Sequence, residues 1–218
     1  MQRTEDYKFD DGLDEALGEL DRARGRLGHL RDRLFMLQAA YDEIALRGTQ
    51  KELVSPEAHA YIPIDLNEFF EGLFELERIL AADPDFDHPE LAHRPARFVD
   101  AGCGTGRLVH LLHATDRMNF LDIHGFDLSE KMISLGRERF GLGEKIFVAD
   151  CLDFDYSGYD VIFFYRPLED EALEHQFENR IVEQMRKGAY VFCFGARGLY
   201  DDRRLQWRDS RFGIFKRL

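Results

Sequence analysis

The sequence predicts an α/β fold: a doubly wound, mostly parallel sheet with an antiparallel last strand, preceded by a helical extension. Three observations predict it. From residue 97 onward, apolar strand-like runs alternate with helical patterns, the order that builds parallel βαβ units. A glycine-rich turn, Gly102-Cys103-Gly104-Thr105-Gly106, joins the first of these runs to an amphipathic helix carrying Leu108, Leu111 and Leu112. Near the C-terminal end, Leu205–Arg208 and Phe212–Lys216 flank Asp209-Ser210-Arg211, which predicts a hairpin.

The extension spans residues 1–60. After an acidic lead, Leu13, Ala16, Leu20, Ala23, Leu27, Leu30, Leu34, Leu37, Tyr41 and Ile44 recur at heptad spacing and predict one helix over 13–47. Gly18, Gly25 and Gly28 fall off this stripe, where each costs up to ~1 kcal/mol of helix propensity without disturbing packing. Acids (Asp14, Glu15, Glu19, Asp21) fill the first half and arginines (Arg22, Arg24, Arg26, Arg31, Arg33) the second. Two arrangements satisfy that segregation. One is an antiparallel coiled-coil homodimer, since a parallel pair would set Arg26 against Arg31. The other is a helix laid along its own domain, with its charges placed as the helix dipole favours.

The domain proper is read over 61–218. Tyr61-Ile62-Pro63-Ile64 is extended, because the residue before proline is pushed out of the α region. Asp65 then opens a helix whose Leu66, Phe69, Phe70, Leu73, Phe74, Leu76 and Leu80 cover more than one face and predict deep burial. Strands are predicted at 97–101, 122–127, 145–149, 159–164 and 189–195. Helices fall near 105–115, 129–140 and 169–186, with only a short connection at 150–158.

Composition narrows the function classes. At 218 residues, with 44% hydrophobic and 13% aromatic content, the chain builds one full α/β core plus a modest appendage. A net charge of −13 weighs against a broad phosphate-binding surface, so nucleic acid is disfavoured as a partner. No apolar run approaches the ~18–20 residues of a membrane span. The acidic start is unlike a cationic signal peptide, and an odd count of three cysteines fits a reducing cytoplasm. Those cysteines lack metal-ligand spacing, and no metal site is expected.

Three glycines at alternate positions let the backbone pass close to a ligand, and the following helix aims free N–H groups at the same spot. The acid Asp100 ends the preceding strand. Dinucleotide sites space their glycines as G-x-G-x-x-G, whereas this chain has Asp100-x-Gly-x-Gly-x-Gly. That spacing resembles motif I of the class I S-adenosylmethionine-dependent methyltransferases. The resemblance covers about residues 65–218 and implies their Rossmann-like sheet, their cofactor, and a roof over that cofactor made by the helix from Asp65 and the Tyr61-Ile62-Pro63 segment.

It also implies roles. Asp100 would engage the methionine amino group, with an alternative as a brace for the loop. Gly102, Cys103, Gly104 and Gly106 would form the cradle. Asp127, 21 residues after Gly106, would hold the ribose hydroxyls, with Leu128 beside it; its alternative is an ordinary strand-end turn residue. Ser129 is read as the N-cap of the next helix. Asp150 and Cys151 would meet the adenine, with Asp153 and Asp155 as competitors, and Phe164 would complete the pocket. Base N-methyltransferases carry Asn/Asp/Ser-Pro-Pro-aromatic after the fourth strand; here the residues are Tyr165-Arg166-Pro167-Leu168, sharing only the proline. Tyr165 and Arg166 become the substrate-side candidates. Arg166 either clamps a carboxylate or phosphate or pairs at the surface with Glu169 or Asp170. His59, Tyr61 and His124 are candidate bases. The expected function is methyl transfer to a small-molecule or protein acceptor; the alternative is a non-catalytic cofactor-binding or scaffold protein acting through its N-terminal helix.

Overall fold

The computed structural model describes residues 64–115, 119–209 and 211–218, together with Met36. The predicted helix at 13–47 and the Tyr61–Pro63 segment lie outside the described residues. The chain divides into Met1–Ala40 and Tyr41–Leu218, and the sheet and its helices belong to the second unit.

In chain order the elements are α1 (Leu66–Ala81), β1 (Ala96–Ala101), α2 (Arg107–Thr115), β2 (Phe120–Asp127), α3 (Glu130–Phe140), β3 (Ile146–Val148), β4 (Val161–Tyr165), α4 (Glu171–Gln184), β5 (Tyr190–Phe194), β6 (Leu205–Asp209) and β7 (Ile214–Arg217). The seven strands form one sheet in the order β3-β2-β1-β4-β5-β7-β6. β1 to β5 are parallel, while β7 runs antiparallel to β5 and to β6. The doubly wound α/β class is therefore correct, and the predicted hairpin forms with Leu205 opposite Arg217.

Buried parallel strands are apolar on both faces because helices cover both. β4 (Val161-Ile162-Phe163-Phe164-Tyr165) shows this, with its first four residues buried. Phe163 faces α1, its ring 5.2 Å from Phe69, while Phe164 faces α4, 5.0 Å from Phe177. α1 lies so close to the sheet that a side chain at Gly72 would meet the Phe192 ring at 2.7 Å. It buries one face only, since Phe74 is 40% exposed. The expectation of a helix buried on several sides is corrected: α1 is an amphipathic layer on the sheet. Just ahead of α1, the Ile64 carbonyl accepts from Arg107 at 2.8 Å; the Tyr61–Pro63 part of the expected roof lies outside the described residues.

Between β3 and β4 no helix forms, as the short connection predicted. Aromatic side chains fill its place: Phe154 packs 4.2 Å from Phe126, and the Tyr156 hydroxyl donates to the Cys151 carbonyl at 2.9 Å. α4 fastens this loop through Arg180, which donates to the carbonyls of Asp153 and Phe154.

The amino-terminal edge of the sheet is held by charge. Buried Asp160 accepts from the Arg97 backbone N–H at 2.8 Å and pairs with Arg94 and Arg186. Buried Asp83 takes the Tyr190 hydroxyl and the Lys216 ammonium. Among the described residues, no helix is long and apolar enough to cross a membrane.

Candidate cofactor site

Strand register gathers the predicted residues on one edge. Ala101, the last residue of β1, lies beside Phe126 and Phe164, and Asp127 lies beside Val148. The carboxyl ends of β1, β2, β3 and β4 thus share one rim. Strand order reverses between β1 and β4, and open α/β sheets bind ligands in the crevice at such a switch point.

The glycine turn leaves β1 at that crevice with Gly102, Gly104 and Gly106 in the left-handed region, at φ +83°, +58° and +74°. Its backbone is pinned from below: the N–H groups of Gly102 and Cys103 both donate to the Phe126 carbonyl at 2.9 Å, and Gly106 donates to Cys103. Two glycines also answer to packing. A Cβ on Gly106 would lie 2.8 Å from Ile146 and Leu142, and one on Gly102 would lie 3.0 Å from Pro167. The cradle is therefore wedged between the β2/β3 side and the turn after β4.

Asp127 braces this cradle. One carboxylate oxygen accepts from the Gly104 N–H at 2.9 Å and the other from Ser129 N–H at 2.8 Å. Burial raises its pKa and the two N–H donors oppose the rise. Both oxygens keep a lone pair for further donors, so bracing and ribose binding are compatible. Ser129 caps α3 as expected, accepting from the Met132 N–H.

Asp100 differs. It is 3% exposed, and burial, reinforced by the charge of Asp127 and opposed by Arg107, pushes its carboxyl up to about 7. Its Oδ2 has no hydrogen-bond partner among the described residues. Buried polar atoms are nearly always paired, so an orphaned oxygen beneath a glycine cradle marks a place for a donor. An ammonium group fits it. The residues present accordingly fit S-adenosylmethionine, with Asp100 for the amino group, the cradle for the methionine half and Asp127 for the ribose.

The adenine-side residues follow. Asp150 accepts from the Leu152 N–H at 2.8 Å, and its carbonyl accepts from Asp153 and Phe154, so it opens the turn immediately after β3. Asp155 instead accepts from Ser157, further along the loop. Cys151 is buried with its thiol pushed up to about 12, which leaves it a packing residue with a backbone N–H at the rim. Leu128 is 43% exposed directly after Asp127, an apolar side chain open at the rim. Phe164 requires correction as a side-chain contact: its fully buried ring packs on Phe177, leaving only its backbone near the rim.

On the substrate side, Tyr165 packs edge-on against Phe194 at 6.3 Å. Arg166 pairs with neither Glu169 nor Asp170. Asp170 caps α4, and the Arg166 Nε lies 3.6 Å from Glu174, a fully buried acid of α4 that Arg197 also contacts at 2.6 Å. His124 stands three residues before the end of β2, against Tyr159 and Phe147, away from the rim. His59 and Tyr61 lie outside the described residues.

Sequence reasoning missed three contributors. Gly136 lets α3 approach the cradle so closely that a Cβ there would meet the Thr105 carbonyl oxygen at 2.0 Å. Glycine inside a helix is costly, and that cost was the available signal. Arg107 and Glu174 are charged residues sunk into the interior, and nothing in their neighbourhoods announces it.

The methyltransferase domain family matches residues 92–195. A carboxy-S-adenosyl-L-methionine synthase of Campylobacter fetus is 31% identical over 119 residues, covering 50% of this chain and 48% of the relative. The chain thus spans about half the length of the curated relative it matches. Among solved structures, the S-adenosylmethionine-bound amino pentose methyltransferase CalS10 of Micromonospora echinaspora is 23% identical, with a TM-score of 0.40 over 70% of this chain and 55% of that one. An RNA methyltransferase of Salinibacter ruber with S-adenosyl-L-homocysteine is 18% identical, with a TM-score of 0.45 over 71% and 90%. Residues 92–195 are thus similar to a methyltransferase domain, which supports the resemblance of the glycine turn and its flanking acids to the S-adenosylmethionine-dependent methyltransferases.

Proposed function

We propose that the chain transfers a methyl group from S-adenosylmethionine to a small-molecule or protein acceptor at the rim beside β4. The observation that carries this reading is the orphaned, buried Asp100 oxygen under a left-handed glycine cradle. When bound, S-adenosylmethionine would supply a methyl group already activated on a sulfonium, with S-adenosylhomocysteine as the leaving group. The protein's share is therefore placement. Asp100, Asp127 and the cradle fix the donor, and the Tyr165-Arg166-Pro167 turn, packed against Gly102, shapes the acceptor side. Such positioning is worth roughly 7–11 kcal/mol of barrier in well-oriented systems.

The test is S-adenosylhomocysteine formation from S-adenosylmethionine with a panel of acceptors, alongside calorimetric binding of S-adenosylhomocysteine and NAD. Binding of the first and not the second is expected. A second reading has one support, the likeness to a carboxy-S-adenosyl-L-methionine synthase. Under it the nucleoside itself is modified, and mass spectrometry of the nucleoside product separates the two readings.

A further inference from the structure

We infer that Arg166 is the specificity residue of the acceptor side and selects an acceptor bearing a carboxylate; this rests on the methyltransferase reading above. Four observations converge on its side chain. Arg166 is the one non-glycine residue in the left-handed region among the described residues, at φ +40°. Left-handed backbone is strained for an L-residue, and such strain gathers at functional positions. It follows the last residue of β4, and Pro167 beside it touches the cradle at Gly102. Its aliphatic stem occupies the space a side chain at Gly195 would need, with Cδ 2.7 Å from that Cβ position. Two unusual backbone positions, one after β4 and one after β5, thus serve a single side chain.

The charge around it is incomplete. The carboxylate of Glu174, fully buried, is shared by two guanidiniums: Arg197 holds it at 2.6 Å, while Arg166 Nε approaches only to 3.6 Å and makes no hydrogen bond. Arg197 also has Glu171 at 3.4 Å, and its backbone N–H is taken by Glu178. Among the described residues Arg166 has no second acid, and neither of its Nη groups donates a hydrogen bond. Glu174 therefore anchors the inner edge of the Arg166 fork and leaves the outer edge unfilled. A planar fork with two free donors fits a carboxylate bidentately.

The test uses the full chain saturated with S-adenosylhomocysteine. Thermal shift and calorimetry are read with three acid/amide pairs: 4-hydroxybenzoate and 4-hydroxybenzamide, 3-phenylpropionate and its amide, and succinate and succinamide. The expected result is binding by at least one acid and by none of the amides. Roughly tenfold or weaker binding of that acid is expected in Arg166→Gln and in Arg166→Gly. The glycine variant removes the backbone strain, so lost acid binding with an intact S-adenosylhomocysteine shift excludes misfolding as the cause. The inference is overturned if no acid binds while S-adenosylhomocysteine does, if the amides bind equally, or if Arg166→Gln retains the acid. No binding of S-adenosylhomocysteine by the wild-type chain overturns the cofactor reading, and this inference with it.

Discussion

Replacing Asp100 with asparagine separates stability from binding. The carboxyl is 3% exposed and its pKa rises from 3.8 to about 7, with burial as the main cause and Asp127 second. At about 1.4 kcal/mol for each tenfold, holding this charge costs the folded chain on the order of 4 kcal/mol above pH 7. Because the folded-state value lies above the unfolded one, the stability tied to this proton is fully present below about pH 4. It is lost as pH rises through 7. An amide carries no charge but needs partners of its own, at about 1–3 kcal/mol if left unsatisfied. Asp100→Asn is therefore expected to gain about 1–3 kcal/mol over wild type at pH 8, and much less at pH 5, by urea unfolding at both values. In a chain of this size that is roughly 2–4 °C per kcal/mol in Tm. The same variant loses a charge-assisted hydrogen bond to the cofactor amino group, about 1.5–3 kcal/mol, so its Kd for S-adenosylhomocysteine rises roughly 10–150-fold. A variant less stable than wild type at pH 8, or one binding the ligand as tightly, refutes this account of Asp100.

Three further predictions are independent of it. Gly136→Ala would gain about 1 kcal/mol on an exposed helix. Here its Cβ meets the Thr105 carbonyl, so differential scanning calorimetry should show a net loss of about 1–3 kcal/mol, with several-fold weaker S-adenosylhomocysteine binding. Asp160→Ala removes the buried carboxylate that the Arg97 N–H and the partly exposed Arg94 and Arg186 share at the opposite edge of the sheet, and should cost about 1–3 kcal/mol in urea, while ligand Kd stays within about twofold. Burial pushes the thiols of Cys103, Cys151 and Cys193 up, so Ellman's reagent at pH 8 should label none in the native protein and all three in urea.

The parts legible in the sequence were those set by local pattern. Strand–helix alternation, the Ser129 and Asp65 caps and the hairpin around Asp209 depend on residues within a few positions of one another, and the structure has them. Asp100, the glycines and Asp127 were legible because a fixed spacing places them at the ends of neighbouring strands. What was hidden is tertiary. Phe163 and Phe164 read alike in a strand buried on both faces, so sequence alone does not say which ring meets α1 and which meets α4. Arg166 has acids three and four positions away, and local reasoning left them as one of two alternatives for it. The fold instead turns it toward Glu174. Likewise α1 carries aromatics on several sides, but Phe74 stays 40% exposed because the sheet covers only one face of the helix.

The central claim is that the Gly102–Gly106 cradle, with Asp100 and Asp127, is a S-adenosylmethionine site. Calorimetric titration of S-adenosylhomocysteine into wild type and an Asp100→Ala/Asp127→Ala variant tests it most directly. A single site in wild type, absent in the variant while NAD binds neither protein, is the predicted result. Equal affinity in the two proteins would contradict it.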